Sequence, residues 1–294
     1  MDHRAFLSSL AAADREALTR TSDAAGLRHL SLHLAAICLC SAAIAAGVPG
    51  WWAFLPVQGV LVVFLFTLEH ECTHRTPFTS EWLNTWVGRG CGLLLLLPFE
   101  WFRYFHLAHH RWTNSPGRDP ELDGPRRDSL RAWAWHVSGL PFWWAGLKVT
   151  AGLVAGRATG AYLPEAARPR MVREARWMAC LFAMAALSLL WSPLLIWIWV
   201  VPVLLGQPFL RLYLLAEHGD CPFVADMLQN TRTTFTNRIV RFLAWNMPYH
   251  VEHHVYPAVP FHRLPDLHAR MRDHLRVTAP GYAAFTREFL ARRL

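Results

Sequence analysis

The amino-acid sequence predicts an all-α integral membrane protein. Its four transmembrane helices form two hairpins, and a cytoplasmic helical cap holds a histidine-rich dimetal site. Three observations lead to this prediction: long segments without charge, the placement of basic residues, and three histidine clusters. The chain has 294 residues, of which 53% are hydrophobic and 17% are charged. Charged residues make up about a quarter of an average soluble domain, so the composition favours a membrane protein.

Two segments contain no Asp, Glu, Lys or Arg, namely residues 30–68 and 177–210. At about 1.5 Å per residue, each is too long for one crossing of a ~30 Å hydrocarbon layer and suits two crossings. Gly and Pro interrupt the first segment at 47–50, and Pro193 interrupts the second. We therefore predict transmembrane helices over about residues 29–47, 51–70, 176–191 and 194–216.

The distribution of basic residues predicts the orientation. The loops of both hairpins carry none, whereas the arginines and the single Lys148 lie in or next to the N-terminal, middle and C-terminal regions. By the positive-inside rule, these three regions are cytoplasmic. A single domain over residues 1–294 is expected, with both termini and a cap of residues 71–175 and 217–294 on the cytoplasmic side. The net charge of +8 then reflects topology and anionic headgroups, and no nucleic-acid partner is expected.

Three histidine clusters lie near the ends of apolar segments. Residues i, i+3 and i+4 share one face of a helix, so each cluster can direct its rings to one side. Neutral imidazole suits iron, copper and zinc. One HxxHH is expected by chance only about 0.05 times in such a chain, and this chain has two copies and an HxxxH. Eight rings predict a two-metal centre if the clusters converge. The clusters are His70-Glu-Cys-Thr-His74, His106-Leu-Ala-His109-His110 and His250-Val-Glu-His253-His254.

These clusters resemble the histidine boxes of the membrane fatty acid desaturase superfamily, which includes acyl desaturases, related hydroxylases, and carotenoid ketolases and hydroxylases. The similarity continues in Asp119-Pro-Glu121 after the second cluster and in Asn246-Met-Pro-Tyr before the third. It covers residues 50–275 or so. The resemblance implies a non-haem di-iron centre that uses O₂ to attack an unactivated C–H bond of a lipid acyl chain.

The resemblance also implies a set of ligands. The superfamily usually has one more histidine between the last membrane helix and the third box, and His218 is the candidate. Asn246, four residues and one helical turn before His250, is a candidate for a water-mediated ligand. The implied ligands are His70, His74, His106, His109, His110, His218, His250, His253 and His254. The side chains expected to lie around them and orient them are Asn246, Glu71, Glu217, Glu252 and Asp119.

Several functions are compatible with the pattern. A fatty acid or acyl-lipid desaturase is the leading hypothesis, with a lipid hydroxylase or a carotenoid ketolase or hydroxylase as alternatives. A metal transporter or receptor would carry ionisable groups in its spans, which the charge-free segments disfavour. A zinc hydrolase seldom needs nine histidines. Neither a haem motif nor a dinucleotide fingerprint is evident, so electrons are expected from a separate ferredoxin, rubredoxin or cytochrome that docks on the basic surface.

Two regions of the predicted cap lack histidine boxes. Residues 132–155 are moderately apolar and rich in Trp, a residue that prefers the membrane–water boundary, so interfacial helices are predicted there. Residues 262–294 alternate Leu and Phe with Arg, which predicts an amphipathic surface helix.

Overall fold

The structure is a computed structural model that describes residues 1–125 and 127–293, and nearly all of its regular structure is helical. The helices are α1 (His3–Ser9), α2 (Ala12–Leu18), α3 (Asp23–Ala45), α4 (Phe54–Val63), α5 (Leu65–His74), α6 (Glu81–Leu95), α7 (Phe99–Trp112), α8 (Leu130–Val137), α9 (Leu140–Val154), α10 (Arg168–Ser188), α11 (Val201–His218), α12 (Met227–Asn230), α13 (Arg238–Leu243), α14 (His250–Val255), α15 (Leu264–Met271) and α16 (Tyr282–Ala291). Short 3₁₀ turns cover Trp51–Ala53, Pro120–Asp123, Glu165–Ala167 and Arg272–His274, and a π-helix covers Ile196–Val200. Two short strands, β1 (Thr233–Thr234) and β2 (Thr278–Ala279), pair in parallel.

Three helical segments are long and apolar enough to cross a membrane: Ala12–Ala45, Trp51–His74 and Ile196–His218. They contain the spans predicted at 51–70 and 194–216 and nearly all of the span predicted at 29–47. The span predicted at 176–191 falls mostly in α10, which is not among these three. Four arginines and a glutamate lie in the first half of α10, so its apolar part is shorter than in the other three.

Helices α4 and α11 cross with their backbones in contact. A methyl group built on Gly206 would lie 2.3 Å from the main-chain carbonyl of Gly59. One built on Gly59 would lie 2.1 Å from the carbonyl oxygen of Pro202. Small residues allow membrane helices this close an approach. The contact joins the first predicted hairpin to the second.

The second membrane-capable segment is interrupted at Phe64, between α4 and α5. Next to the interruption, His33 Nε2 donates to the Leu61 carbonyl at 2.8 Å, and Thr67 Oγ1 donates to the Phe64 carbonyl at 2.8 Å. Carbonyl groups at the end of a helix lack an intrahelical partner and can accept such bonds. The buried His33 therefore ties α3 to the interruption that precedes α5, the helix that carries the first histidine cluster.

The segment predicted to be interfacial forms α8 and α9, which meet in a turn at Gly139 that lies against α11. A methyl group built on Gly139 would lie 2.3 Å from Cγ of Gln207. Trp135 and Trp144 on the two helices are exposed. Exposed tryptophans on short helices agree with the predicted interfacial position.

The C-terminal region differs from the prediction of one surface helix over 262–294. The structure has α15, a 3₁₀ turn, β2 and then α16. Pro280 and Gly281 separate β2 from α16, and the ladder to β1 holds β2 extended. The continuous-helix prediction was wrong because Pro and Gly punctuate helices and because a distant strand pairs with this segment.

Candidate metal centre

All three histidine clusters and the end of α11 meet at one place. The first cluster lies at the end of α5, the second in the last two turns of α7, and the third in α14. The connecting polypeptide is long, so only the fold brings the clusters together. The structure places the following predicted ligands in a single cluster of neighbouring rings: His70, His74, His106, His109, His110, His218, His250, His253 and His254.

The rings divide into two adjacent groups. In the first group, one nitrogen from each ring lies within 4.8 Å of the others; its members are His70, His74, His106, His110 and His253. In the second, the same holds for His109, His218 and His254. His250 Nε2 lies 3.1 Å from His218 Nε2 and extends the second group. The His110 and His254 rings stack with centroids 4.0 Å apart, which joins the groups side by side.

The donor set fits metal ions. Imidazole nitrogens face one another at 2.9 Å between His74 and His106 and at 3.2 Å between His110 and His253. Two neutral rings that meet through their lone pairs gain nothing unless a proton or a cation lies between them. Among the described residues, both nitrogens of His70 and Nε2 of His254 are buried without a hydrogen-bond partner. Buried polar atoms normally have partners, and metal ions between the rings would supply them.

The electrostatics favour the neutral, metal-binding form of most of these rings. Burial lowers the pKa of His106, His110 and His253 well below the usual 6.5, and neighbouring imidazoles act in the same direction. The pKa values of His250 and His254 are lowered by the same causes. A neutral imidazole is the form that binds a metal ion, so protons compete little for these ligands at neutral pH.

The His109 ring is held by a fixed carboxylate. Its Nδ1 lies 3.0 Å and 3.1 Å from the two oxygens of Asp119. Asp119 also accepts the backbone N–H groups of Asn114 at 2.8 Å and Glu121 at 3.0 Å. Burial alone would lower the pKa of His109, but the charges of Glu121 and Asp119 outweigh it and raise that pKa. The carboxylate therefore keeps the proton on Nδ1 and leaves Nε2 for a metal.

Two of the predicted orienting glutamates contact ligand rings. Glu217 Oε1 lies 3.4 Å from His250 Nδ1, and Glu71 Oε1 lies 3.6 Å from His253 Nδ1. The other Glu71 oxygen is fixed by the Thr76 hydroxyl at 3.1 Å and the Phe261 N–H at 3.0 Å. Both carboxylates therefore approach the ring nitrogen opposite the one directed to the centre.

Glu252 affects the histidine rings indirectly, through the helix that carries them. Its carboxylate is fully buried, and it accepts hydrogen bonds from Thr233 and His268. Thr233 lies on β1, so these bonds attach α14 to the β1–β2 ladder and to α15. Glu252 therefore positions the helix that carries the third cluster.

The sequence did not point to two residues that contact ligand rings, Thr113 and Asn230. His254 Nδ1 lies 3.2 Å from the Thr113 hydroxyl, and His218 Nδ1 donates to the main-chain carbonyl of Asn230 at 3.1 Å. The Asn230 amide in turn donates to the Thr113 carbonyl at 3.1 Å. Thr113 lies three and four residues after two ligands of the second cluster, a spacing that could have suggested it. No local pattern singles out Asn230.

The predicted helical relation between Asn246 and His250 was wrong. Asn246 has a left-handed backbone with φ of 60°, and α14 begins only at His250. Pro248 intervenes, and a proline disfavours helical geometry at the residue before it. The Asn246 amide donates to the Phe261 carbonyl at 3.0 Å.

The fold and the site define a helical protein with membrane-capable helices and a histidine-rich group able to bind metal. Comparison with known proteins identifies the family. The model of the fatty acid desaturase family matches residues 29–286. The chain belongs to this family, and the resemblance in its histidine clusters is confirmed. It is therefore an oxidoreductase of lipid metabolism, a lipid desaturase.

Individual relatives support the assignment over most of the chain. An sn-1 oleoyl-lipid 12-desaturase of Arthrospira platensis is 24% identical over 72% of this chain and 67% of its own. A protein of the same description from a Picosynechococcus species is 24% identical over 82% of this chain and 75% of its own. A Synechocystis protein described as an sn-1 acyl-lipid omega-3 desaturase (ferredoxin) is 29% identical over 31% of this chain and 27% of its own.

Proposed function

We propose that this protein is an O₂-dependent di-iron enzyme that desaturates the acyl chain of a lipid. The observation that carries the proposal is the pair of adjacent, buried, all-imidazole groups in a member of the fatty acid desaturase family. When bound, two iron ions would activate O₂; two hydrogens from the acyl chain, two electrons from a donor and two protons from solvent would together reduce it to two molecules of water. Imidazole ligands suit iron of this kind.

The residues of this chain have a supporting role in that chemistry. The ligands proposed for the first iron are the members of the first group, and those for the second are His109, His218, His250 and His254. Asp119 bonds to the outer nitrogen of His109, and carboxylate oxygens of Glu71 and Glu217 lie 3.6 Å and 3.4 Å from the outer nitrogens of His253 and His250. We propose that all three carboxylates fix the orientation of these rings. We propose that Glu252 fixes the ring orientation indirectly, by positioning α14. We also propose Asn246 as a water-mediated ligand that lies in a turn and not in a helix.

We assign the acyl chain to an apolar cavity against α11. It has a volume of about 830 Å³ and is lined by α4, α11, α13 and α16, mainly with apolar side chains. Ligand pockets of drug-sized molecules have volumes of about 300–1,000 Å³. Tyr213 lines the cavity, and Glu217, one helical turn further along α11, contacts His250. The wall of the cavity therefore leads to the second group of rings.

Lipid hydroxylation remains the second candidate, because it begins with the same hydrogen abstraction.

We propose that the chain is one domain of residues 1–294 that spans the bilayer four times, over about residues 29–47, 51–70, 176–191 and 194–216. The fourth span is supported by the apolar face that α10 exposes, which includes Trp177, Met184 and Leu187 at 67%, 66% and 55% exposure. The cap of residues 71–175 and 217–294, the metal centre and both termini would lie on the cytoplasmic side, where the basic residues are.

Electrons would come from a separate protein of the ferredoxin, rubredoxin or cytochrome type. The description of the Synechocystis relative names ferredoxin, which favours the first of these. The net charge of +8 provides a basic surface for an acidic donor.

Mass spectrometry of lipids from a host that expresses the chain together with a reductase system tests the proposal. We expect an acyl species that is lighter by two hydrogens with the wild type and none with His253→Ala, which should also lose bound iron. His274→Ala is the matched control, because its ring lies outside the cluster and packs near Phe6. Unchanged desaturation by His253→Ala would contradict the proposal, and a gain of one oxygen would show hydroxylation instead.

A further inference from the structure

A group of half-buried side chains with shielded hydrogen-bond donors lies beside α8, α9 and α11, outside the metal centre. We call it the cationic pocket and define it by Arg127, Arg211, His136 and Trp133. The Arg211 guanidinium lies 4.4 Å from the centre of the Phe142 ring on α9. Trp133 on α8 packs in the cluster of α11 and α16 residues that includes Leu215 and Phe285. The turn at Gly139 lies against α11, so α8 and α9 cover this stretch of that helix.

The donors of the cationic pocket are not used within the described part of the chain. Nε and Nη2 of Arg211, Nε of Arg127 and Nε1 of Trp133 are all shielded from solvent without a hydrogen-bond partner in residues 1–125 and 127–293. The pKa of His136 falls to about 3, because the ring is buried and lies near the positive charges of Arg127 and Arg211. Buried donors without partners are uncommon in folded proteins, so a ligand for them is expected.

Glu121 lies near enough to Arg127 and Arg211, and Glu217 near enough to Arg211, to balance part of their charge, but no hydrogen bond joins these groups among the described residues. Glu121 Oε2 lies 3.6 Å from His109 Nδ1, and Glu217 Oε1 lies 3.4 Å from His250 Nδ1. These two groups are directed to the metal centre. The orientation leaves the guanidinium donors of the pocket open to an anion from outside the chain.

The cationic pocket has a fixed relation to the metal centre. Arg211 precedes His218 by seven residues on α11, which is two helical turns on the same face and about 10 Å along the axis. A ligand that is held at Arg211 and extends along this face would reach the second group of rings with a part remote from its anionic end.

We propose that the cationic pocket binds the anionic group at one end of the lipid substrate, a carboxylate or a phosphate, and thereby sets which acyl carbon faces the metal centre. The proposal rests on the proposed function. A guanidinium group binds both anions through paired N–H groups, and the Trp133 indole N–H adds a directional donor.

Lipid binding to the purified, metal-containing full chain in neutral nanodiscs, with no electron donor present and followed by native mass spectrometry, tests the proposal without catalysis. The probes are oleic acid, dioleoyl phosphatidylglycerol and methyl oleate, which share the oleoyl chain and differ in charge. We expect tighter binding of one anionic lipid than of methyl oleate, and the anionic lipid that prevails identifies carboxylate or phosphate. Arg211→Met should weaken that binding roughly 10- to 100-fold and leave methyl oleate unchanged.

Three further variants separate charge recognition from damage to the fold. Arg211→Lys should restore part of the affinity, since it keeps the charge but loses the paired geometry. Trp133→Phe keeps the aromatic packing and should cost about threefold to tenfold through the lost N–H group. It tests the pocket even if Arg211→Met does not fold. Lys148→Met removes an exposed charge of α9 that lies over Trp144, and it should bind like the wild type.

Two results would overturn the proposal. One is equal binding of charged and neutral lipids by the wild type. The other is an equal loss for all three lipids in Arg211→Met, which would mean that the arginine only balances Glu121 and Glu217. Because binding is measured without an electron donor and hence without turnover, a failure of desaturation would leave this result interpretable. In the active enzyme, Arg211→Met should raise KM for the anionic lipid and shift the double-bond position.

Discussion

At the scale of single residues, each ring of the second group has a polar group next to its outer nitrogen. Asp119, Glu217, Thr113 and the carbonyl of Asn230 contact Nδ1 of His109, His250, His254 and His218, respectively. A bond to one imidazole nitrogen fixes both the tautomer and the direction of the other nitrogen. If these rings bind metal as proposed, the contacts direct Nε2 of each ring towards the centre before the metal binds.

The contact between Asp119 and His109, in which both carboxylate oxygens approach the ring nitrogen, leads to a prediction. Asp119→Asn should lower metal affinity about 10- to 100-fold, because an amide cannot stabilise the N–H form of His109 as a carboxylate does. Metal content after dialysis, measured by elemental analysis, checks it. Asp266→Asn is the control, since this exposed carboxylate pairs only with Arg263 in the described residues. Equal metal retention in both variants would refute the role assigned to Asp119.

Residue spacing predicted the ring clusters but not all of their partners. The i, i+3, i+4 pattern indicates which rings share a face, and the structure brings those faces together. The bond between His218 and Asn230 depends on how a loop folds back, which local periodicity does not encode. Asn246 shows the opposite case, because four-residue spacing suggested a helix where Pro248 prevents one.

At the scale of helices, the contact between α4 and α11 has little tolerance for added atoms. Gly206→Ala should lower the thermal unfolding temperature of the detergent-solubilised protein, with a cost of about 1–3 kcal/mol, because its new methyl group meets backbone. Gly90→Ala on α6 is the matched control, since a methyl group there meets no atom within 4 Å. It should raise the stability by about 0.5–1 kcal/mol, the difference between Ala and Gly inside a helix.

An unfolding temperature of Gly206→Ala equal to that of the wild type would show that the helices separate without cost. Equal losses in both variants would mean that the substitution of glycine matters more than its position. Either result would contradict the direct backbone contact between Gly59 and Gly206.

The length of the charge-free segments predicted where the long apolar helices lie. Local turn signals in the sequence predicted less well where helices end. Three of the four predicted spans fall largely within membrane-capable segments, since hydropathy and length are local properties of the sequence. The division of the C-terminal region into α15, β2 and α16 was not foreseen. It depends on pairing between Thr233 and Thr278, which lie far apart in the sequence.

At the scale of the whole molecule, reporter fusions in a bacterial host test the proposed membrane topology. Green fluorescent protein fused after the last residue should fluoresce, because it folds on the cytoplasmic side. Alkaline phosphatase inserted at Gly50 or Ser192 should be active, because both hairpin loops would face the opposite side. Phosphatase activity from an insertion at Gly124 would contradict a cytoplasmic cap.

The contact between Gly59 and Gly206 has a consequence for how a lipid enters. Backbones that touch at one depth in the membrane cannot part there without losing their packing. The cavity wall formed by Val60, Leu212 and Leu243 lies towards the histidine-bearing ends of these helices. The crossing therefore holds α4 and α11 together at that depth, so any widening of the cavity for a lipid has to occur on the histidine-bearing side of Gly59 and Gly206.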